Sequence, residues 1–192
     1  MYESIFNKQK QFFQTKETLS LDVRIKALKQ LKDAINFYED ELMFAMKSDF
    51  NKNENDAYLT EIGIVYNEIN FHLKNLSRWT QPVNVKTPAT HFGSKSTIYK
   101  EPYGVTLIIS PWNYPFNLAI APLVGALSAG NTAILKPSEH TPHVSEIITK
   151  VIDLAFPEKY VTSIEGGIET NQQLLNLPFD YIFYTGLSLI HI

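Results

Sequence analysis

The chain has 192 residues, 44% of them hydrophobic and 19% charged. That suits one ordinary globular domain, or a domain with an appended helical segment, and excludes a disordered tail. Seventeen basic against twenty acidic side chains give a net charge of −3, without the basic excess that non-specific nucleic-acid binding requires. Zero cysteines exclude disulfides, thiolate metal sites and a cysteine nucleophile within these residues.

The opening residues from Met1 to Lys8 have neither the apolar run of a signal peptide nor the basic, acid-poor character of a transit peptide. The first eighty residues read as helices. From Ser20, a good N-cap, Ile25, Leu28, Leu31, Ile35, Tyr38, Leu42 and Ala45 recur at three- and four-residue steps. Lys26, Lys29, Lys32, Asp33 and Asp40 fall largely between them, leaving one face wet. A second helix is predicted from about Asn55 to Trp79, with Tyr58, Ile62, Val65, Ile69, Leu73 and Leu76 as its core stripe. Asn75-Leu76-Ser77 matches a glycosylation sequon, which without a secretion signal is read as chance.

From Pro82 to Pro102 the texture changes, and short runs such as Ser96-Thr97-Ile98-Tyr99 between Pro82, Pro88, Gly93 and Pro102 read as an extended edge segment. Strand and helix then alternate. Strands are predicted over 104–109, 132–135, 160–164 and 181–184, and helices over 116–128, 143–156 and 168–177, with Gly130-Asn131 closing the first of these helices. No charged residue lies between Gly104 and Leu135. Pro111, Pro115 and Pro122 break that run, and Asn113, Asn117 and Asn131 would lack partners in lipid, so no membrane segment is expected. The chain is read as soluble and cytoplasmic. The expected fold class is α/β: N-terminal helices followed by a doubly wound parallel sheet, with its ligand site beyond the carboxyl ends of the strands.

Those strand ends lead into unusual loops. After the first strand, Ser110-Pro111-Trp112-Asn113-Tyr114-Pro115 holds one amide between two prolines. An amide so fixed can donate to developing negative charge on oxygen; the same loop also reads as a tight helix-entry turn with a packed Trp. After the second, Lys136-Pro137-Ser138-Glu139 sets a cation three residues from a carboxylate, which suits gripping vicinal hydroxyls and equally suits a solvated salt-bridge turn. Glu165-Gly166-Gly167 and Thr185-Gly186 allow close approach of a ligand to the backbone. The G-x-G-x-x-G fingerprint of an ordinary Rossmann dehydrogenase is absent. His140 and His143, at i and i+3 without a third ligand, do not read as a zinc site.

Together these loops resemble the aldehyde dehydrogenase superfamily, most closely its class 3-like branch. The resemblance is densest in 104–115, in 130–139 and in Tyr184-Thr185-Gly186. It implies that Asn113 is the side-chain oxyanion donor and that Lys136 and Glu139 hold the adenosine ribose of NAD or NADP. Ile109, Ser110, Pro111 and Trp112 match the wall beside the cofactor, Gly166 the stretch near the adenine, and Thr185-Gly186 the turn under the diphosphate. The implied reaction oxidises an aldehyde substrate through a cysteine thiohemiacetal, passes hydride to NAD(P)⁺ and hydrolyses a thioester with a glutamate base. Class 3-like members are typically homodimers, and 82–102 would be the arm that pairs with strands of the second half. Glu139 near the 2′-hydroxyl leans toward NAD by charge repulsion, whereas Lys136 can accommodate a phosphate. A related acyl-phosphate or acyl-CoA reductase, or a non-catalytic nucleotide-binding module, are the alternatives.

The resemblance also implies a division into a helical part of the cofactor domain (1–81), the arm (82–102) and the NAD(P)-binding α/β part (103–186), without a catalytic domain. Past Gly186 the family carries a polar residue and a second glycine, where this chain has Leu187 and His191. Leu-Ser-Leu-Ile-His-Ile is what CTG TCT CTT ATA CAC ATC encodes, a transposon-type sequencing adaptor. Residues 187–192 are therefore expected to be an artefactual tail. The chain alone is expected to be inactive and poorly folded, because the arm lacks its partners and the sheet exposes an apolar edge.

Overall fold

The computed structural model describes residues 2–186. Helix α1 (Tyr2–Gln14) is followed by α2 (Leu21–Phe37), α3 (Glu39–Phe50), a short α4 (Glu54–Ala57), a π turn (Tyr58–Ile62) and α5 (Gly63–Trp79). Two short strands come next, β1 (Val83–Val85) and β2 (Ser96–Ile98). The alternating half then runs β3 (Val105–Ile109), α6 (Asn117–Ala129), β4 (Thr132–Lys136), α7 (Pro142–Ala155), β5 (Val161–Ser163), α8 (Ile168–Leu175) and β6 (Tyr181–Tyr184).

The main sheet has the order β5-β4-β3-β6, and all three pairings are parallel. The chain winds outward from β3 to β5 and then returns to the other side of β3, so the winding direction reverses between β3 and β6. Crevices for ligands form at such a reversal. Both faces of β3, β4 and β5 are covered, whereas β6 is exposed at all four of its residues. Ile108, Ala133, Leu135 and Val161 pack under α2, α3, α5, α6 and α7. Leu107, Ile109, Ile134 and Ile164 pack on the opposite face with Leu174 of α8 and with Tyr2 and Ile5 of α1. Every residue of β3 and β4 is buried, as their near-continuous apolar runs require.

Three local differences from the sequence reading have physical causes. The stripe from Ile25 to Ala45 is two helices, broken at Tyr38, whose backbone sits at φ −102 and ψ 13. Glu39, Asp40 and Glu41 then form an acidic first turn that suits a new helix N-terminus. Helix α1 buries only Phe6, Gln9 and Phe12, too sparse a stripe to announce itself. The 82–102 segment, read as one extended edge run, contains a short two-stranded ribbon: β1 and β2 pair antiparallel with Val83 opposite Ile98. No described helix is long and apolar enough to cross a membrane.

Candidate active site at the strand ends

The four loops converge because the sheet register aligns their roots. Ile109 stands opposite Lys136 on one side and opposite Tyr184 on the other. The Ser110 amide donates to the Lys136 carbonyl (3.2 Å), the Thr185 amide to the Ile109 carbonyl (3.1 Å) and the Ile164 amide to the Leu135 carbonyl (2.8 Å). A methyl group built on Gly167 would lie 3.9 Å from Glu139 Oε1, so the glycine loop after β5 borders the Lys136 turn. Ser110, Lys136, Glu139, Gly166 and Thr185-Gly186 thus share one rim.

Lys136 is buried, and its ammonium donates to Glu139 Oε2 at 2.6 Å. An ammonium has three N–H donors, and Glu139 takes one of them. The side chain of Glu139 is 32% exposed, leaving its carboxylate at the surface of the rim. Burial pushes the Glu139 carboxyl up. The hydrogen bond from Lys136, a backbone N–H and the charges of Lys136 and His140 more than offset this, so it lies below its ordinary 4.5. A depressed carboxyl binds its proton more readily in the unfolded chain, so the pair stabilises the fold above pH 4.5 and that gain is lost as pH falls through the folded-state value. Carbon NMR titration of the Glu139 carboxyl is expected to give a midpoint below 4.5, and Lys136→Met is expected to move it upward, because the Lys136 hydrogen bond and charge are lost while burial remains.

Asn113 sits in the turn between β3 and α6 with its side chain exposed, and its amide makes no hydrogen bond among the described residues. Trp112 is 59% exposed. The loop is a turn into α6, as the helix-entry alternative has it, but Trp112 is not packed within it. Pro111 is half-buried between them and the buried Ser110, whose Oγ has no hydrogen-bond partner among the described residues. Gly166 (φ +143) and Gly186 (φ +153) adopt backbone conformations that disfavour other residues, and a methyl on Gly166 would fall 2.1 Å from Thr170 Oγ1. An orphaned buried hydroxyl, an ammonium–carboxylate pair and two open backbone turns suit the hydroxyls and phosphates of a nucleotide.

Sequence periodicity missed three residues that hold these loops. Phe116, at the start of α6, provides no side-chain cap. Glu61 Oε2 instead accepts from the amides of Phe116 (2.9 Å) and Asn117 (3.3 Å), and Glu61 Oε1 pairs with the Lys52 ammonium. Lys52 Nζ also lies 4.8 Å from the centre of the Tyr114 ring, beside Asn113. At α7, Asp49 accepts from the amides of His143 (3.3 Å) and Val144 (2.9 Å). One signal for Glu61 was available: it falls four residues from both Ala57 and Val65, an acid in the apolar phase of its helix.

The family model described as "Aldehyde dehydrogenase family" matches residues 2–188. The chain belongs to the aldehyde dehydrogenase family. Among relatives, it is 49% identical over 184 residues to the 4,4'-diaponeurosporen-aldehyde dehydrogenase of Staphylococcus aureus, a match covering 96% of this chain and 40% of that protein. It is 39% identical over 173 residues to aldehyde dehydrogenase family 3 member H1 of Arabidopsis thaliana (90% and 36% covered). To the mouse "Aldehyde dehydrogenase, dimeric NADP-preferring" it is 36% identical over 187 residues (97% and 41% covered). The solved "Substrate bound state of Staphylococcus Aureus AldH" superposes with a TM-score of 0.94 at 48% identity, covering 96% of this chain and 40% of that one. The class 3-like resemblance and the α/β fold of an aldehyde dehydrogenase thus hold, and the chain spans about 40% of the length of the Staphylococcus aureus relative. Residues 187–192, read as an artefactual tail with His191 in place of a glycine, lie outside the described residues.

Proposed function

We propose that this segment supplies the cofactor side and the oxyanion donor of an NAD(P)-dependent aldehyde dehydrogenase that oxidises an aldehyde to a carboxylic acid. When bound, the nicotinamide cofactor supplies the hydride acceptor. Lys136 donates to the adenosine ribose hydroxyls and Glu139 accepts from them. Ser110, with Ile109, Pro111 and Trp112, walls the bound nucleotide, Gly166 opens the backbone near the adenine, and Thr185-Gly186 turns beneath the diphosphate. The Asn113 amide donates to the aldehyde oxygen as negative charge develops on it. The observation that carries this reading is the backbone bond between Ser110 and Lys136, which joins the Asn113 loop to the Lys136–Glu139 turn. The 192 residues contain no cysteine, so the chain by itself forms no thioester, and the nucleophile belongs to residues outside this segment.

The division at 82–102 carries an oligomerisation role in this reading. The β1–β2 ribbon leaves Val83, Val85 and Ile98 exposed, and these are the apolar positions a second protomer would cover in a homodimer. The test of the whole reading is a full-length enzyme in which residues 1–186 replace the matching segment of the Staphylococcus aureus relative. Aldehyde-dependent formation of reduced nicotinamide is the expected result; a folded chimera without it rejects the reading.

Cofactor preference follows from Glu139. A carboxylate at neutral pH, it repels a 2′-phosphate and favours NAD. Glu139→Gln is expected to raise the NADP-to-NAD ratio of kcat/KM by about tenfold, the effect of removing roughly 1.4 kcal/mol of repulsion. An unchanged ratio would place the 2′-position elsewhere.

A further inference from the structure

The two helices that follow the two principal site loops start without caps of their own: neither Phe116 nor Thr141 gives a side-chain cap to α6 or α7. Their first amides go instead to carboxylates from one stretch of the helical layer, 55 residues away for Glu61 and 94 for Asp49. Glu61 is fully buried and the side chain of Asp49 is 2% exposed. A local Ser or Thr would satisfy such amides without burying a charge, and burying a carboxylate is costly unless it is fully partnered. Both are. Glu61 has the Lys52 ammonium on its other oxygen, and Asp49 has His143 Nδ1 at 2.7 Å. The π turn that carries Glu61 is itself a costly local feature that re-aims a side chain, and such turns concentrate near functional sites.

The consequence is geometric. Glu61 grips the chain three residues after Asn113, while Lys52 lies over the ring of Tyr114. Asp49 grips it four residues after Glu139. The connection from Asp49 to Glu61 is therefore a single brace on both loops, and the relative placement of amide donor and ribose pair depends on it. Oxyanion donors act only within a few tenths of an ångström of their working distance, and a misplacement of 1 Å costs about 10²-fold in rate.

We propose that Asp49 and Glu61 are positioning residues of this enzyme, Glu61 acting through Asn113 on the chemical step and Asp49 acting through the Lys136–Glu139 turn on cofactor binding. The inference rests on the function proposed above for those loops. A purely structural cap would change stability alone; a positioning role splits the two kinetic constants.

In the full-length chimera, Glu61→Gln is expected to lower kcat about tenfold while the directly titrated NAD⁺ Kd stays within twofold. Asp49→Asn is expected to raise that Kd about tenfold and to leave kcat at saturating NAD⁺ unchanged. Amide hydrogen exchange at Phe116 and Asn117 is expected to speed up in Glu61→Gln. In an Asn113→Ala background, Glu61→Gln should lower kcat no further. A Glu61 variant that melts earlier but keeps kcat, or one that costs as much without Asn113 as with it, overturns the proposal for Glu61. An unaltered Kd in Asp49→Asn overturns it for Asp49. Should Asn113→Ala itself leave kcat unchanged, the oxyanion reading fails and the Glu61 arm falls with it, while the Asp49 arm is read separately. Glu61→Asp, which keeps the charge but withdraws it by one methylene, repeats the test if the Gln variant does not fold; failure of both to fold makes Glu61 structural and overturns its part.

Discussion

Asn113→Ala in the full-length enzyme is expected to lower kcat by roughly 10²–10³-fold, the usual cost of losing one side-chain donor to a developing oxyanion. The fold should not register the change. Asn113 is exposed and makes no hydrogen bond among the described residues, and substitutions at such positions shift stability by about 0.5 kcal/mol or less. The cofactor KM should also stay put, because the amide meets the aldehyde oxygen and not the nucleotide. Asn113→Asp sharpens the experiment: it keeps the size but sets a carboxylate against the charge that must form, so its kcat should fall at least as far. Steady-state kinetics with saturating cofactor decide the matter. A kcat equal to that of the parent enzyme removes Asn113 from the mechanism.

Lys136→Met is expected to act on the other constant. A hydrogen bond to a charged group contributes about 1.5–3 kcal/mol, so losing the ammonium should raise the cofactor Kd roughly 10- to 150-fold. Methionine keeps the unbranched apolar stem, which fills the buried channel that Lys136 occupies. Glu139, being about a third exposed, can take water when its partner is gone, so the fold should survive the change. Titration of NAD⁺ against the variant gives the Kd, and kcat at saturation should match the parent. An unchanged Kd would reduce the Lys136–Glu139 pair to the salt-bridge turn that its spacing also allows.

The two predictions rest on residues that were visible for different reasons. Asn113 stood out because two prolines frame a lone amide at the end of a buried strand, and Lys136 because a cation ends a run of four apolar or small residues. Such contrasts are local, and local contrast survives in a linear sequence. Trp112 shows the limit of the same method. Its size suggested a packed anchor, yet its side chain stands largely in the open. The brace formed by Asp49, Lys52 and Glu61 was not seen at all. Asp49 offers no periodic cue, and Glu61 would have had to be recognised as an acid lying in an apolar stripe, where the default expectation is a solvated face.

The sequence alone determined the alternation of elements, the fully buried character of β3 and β4, the loops that carry chemistry and the family resemblance. All of these depend on residue type and on spacings of two to four positions along one element. Tertiary structure decided the break at Tyr38, the return of β6 to the far side of β3, the folding of 82–98 onto itself and the capping of α6 and α7 by carboxylates of neighbouring helical segments in the same layer. Each of these is a contact between segments tens of residues apart, or a kink whose flanking periodicity runs through undisturbed. Hydrophobic patterning states which side of an element is buried; it does not state which partner will bury it.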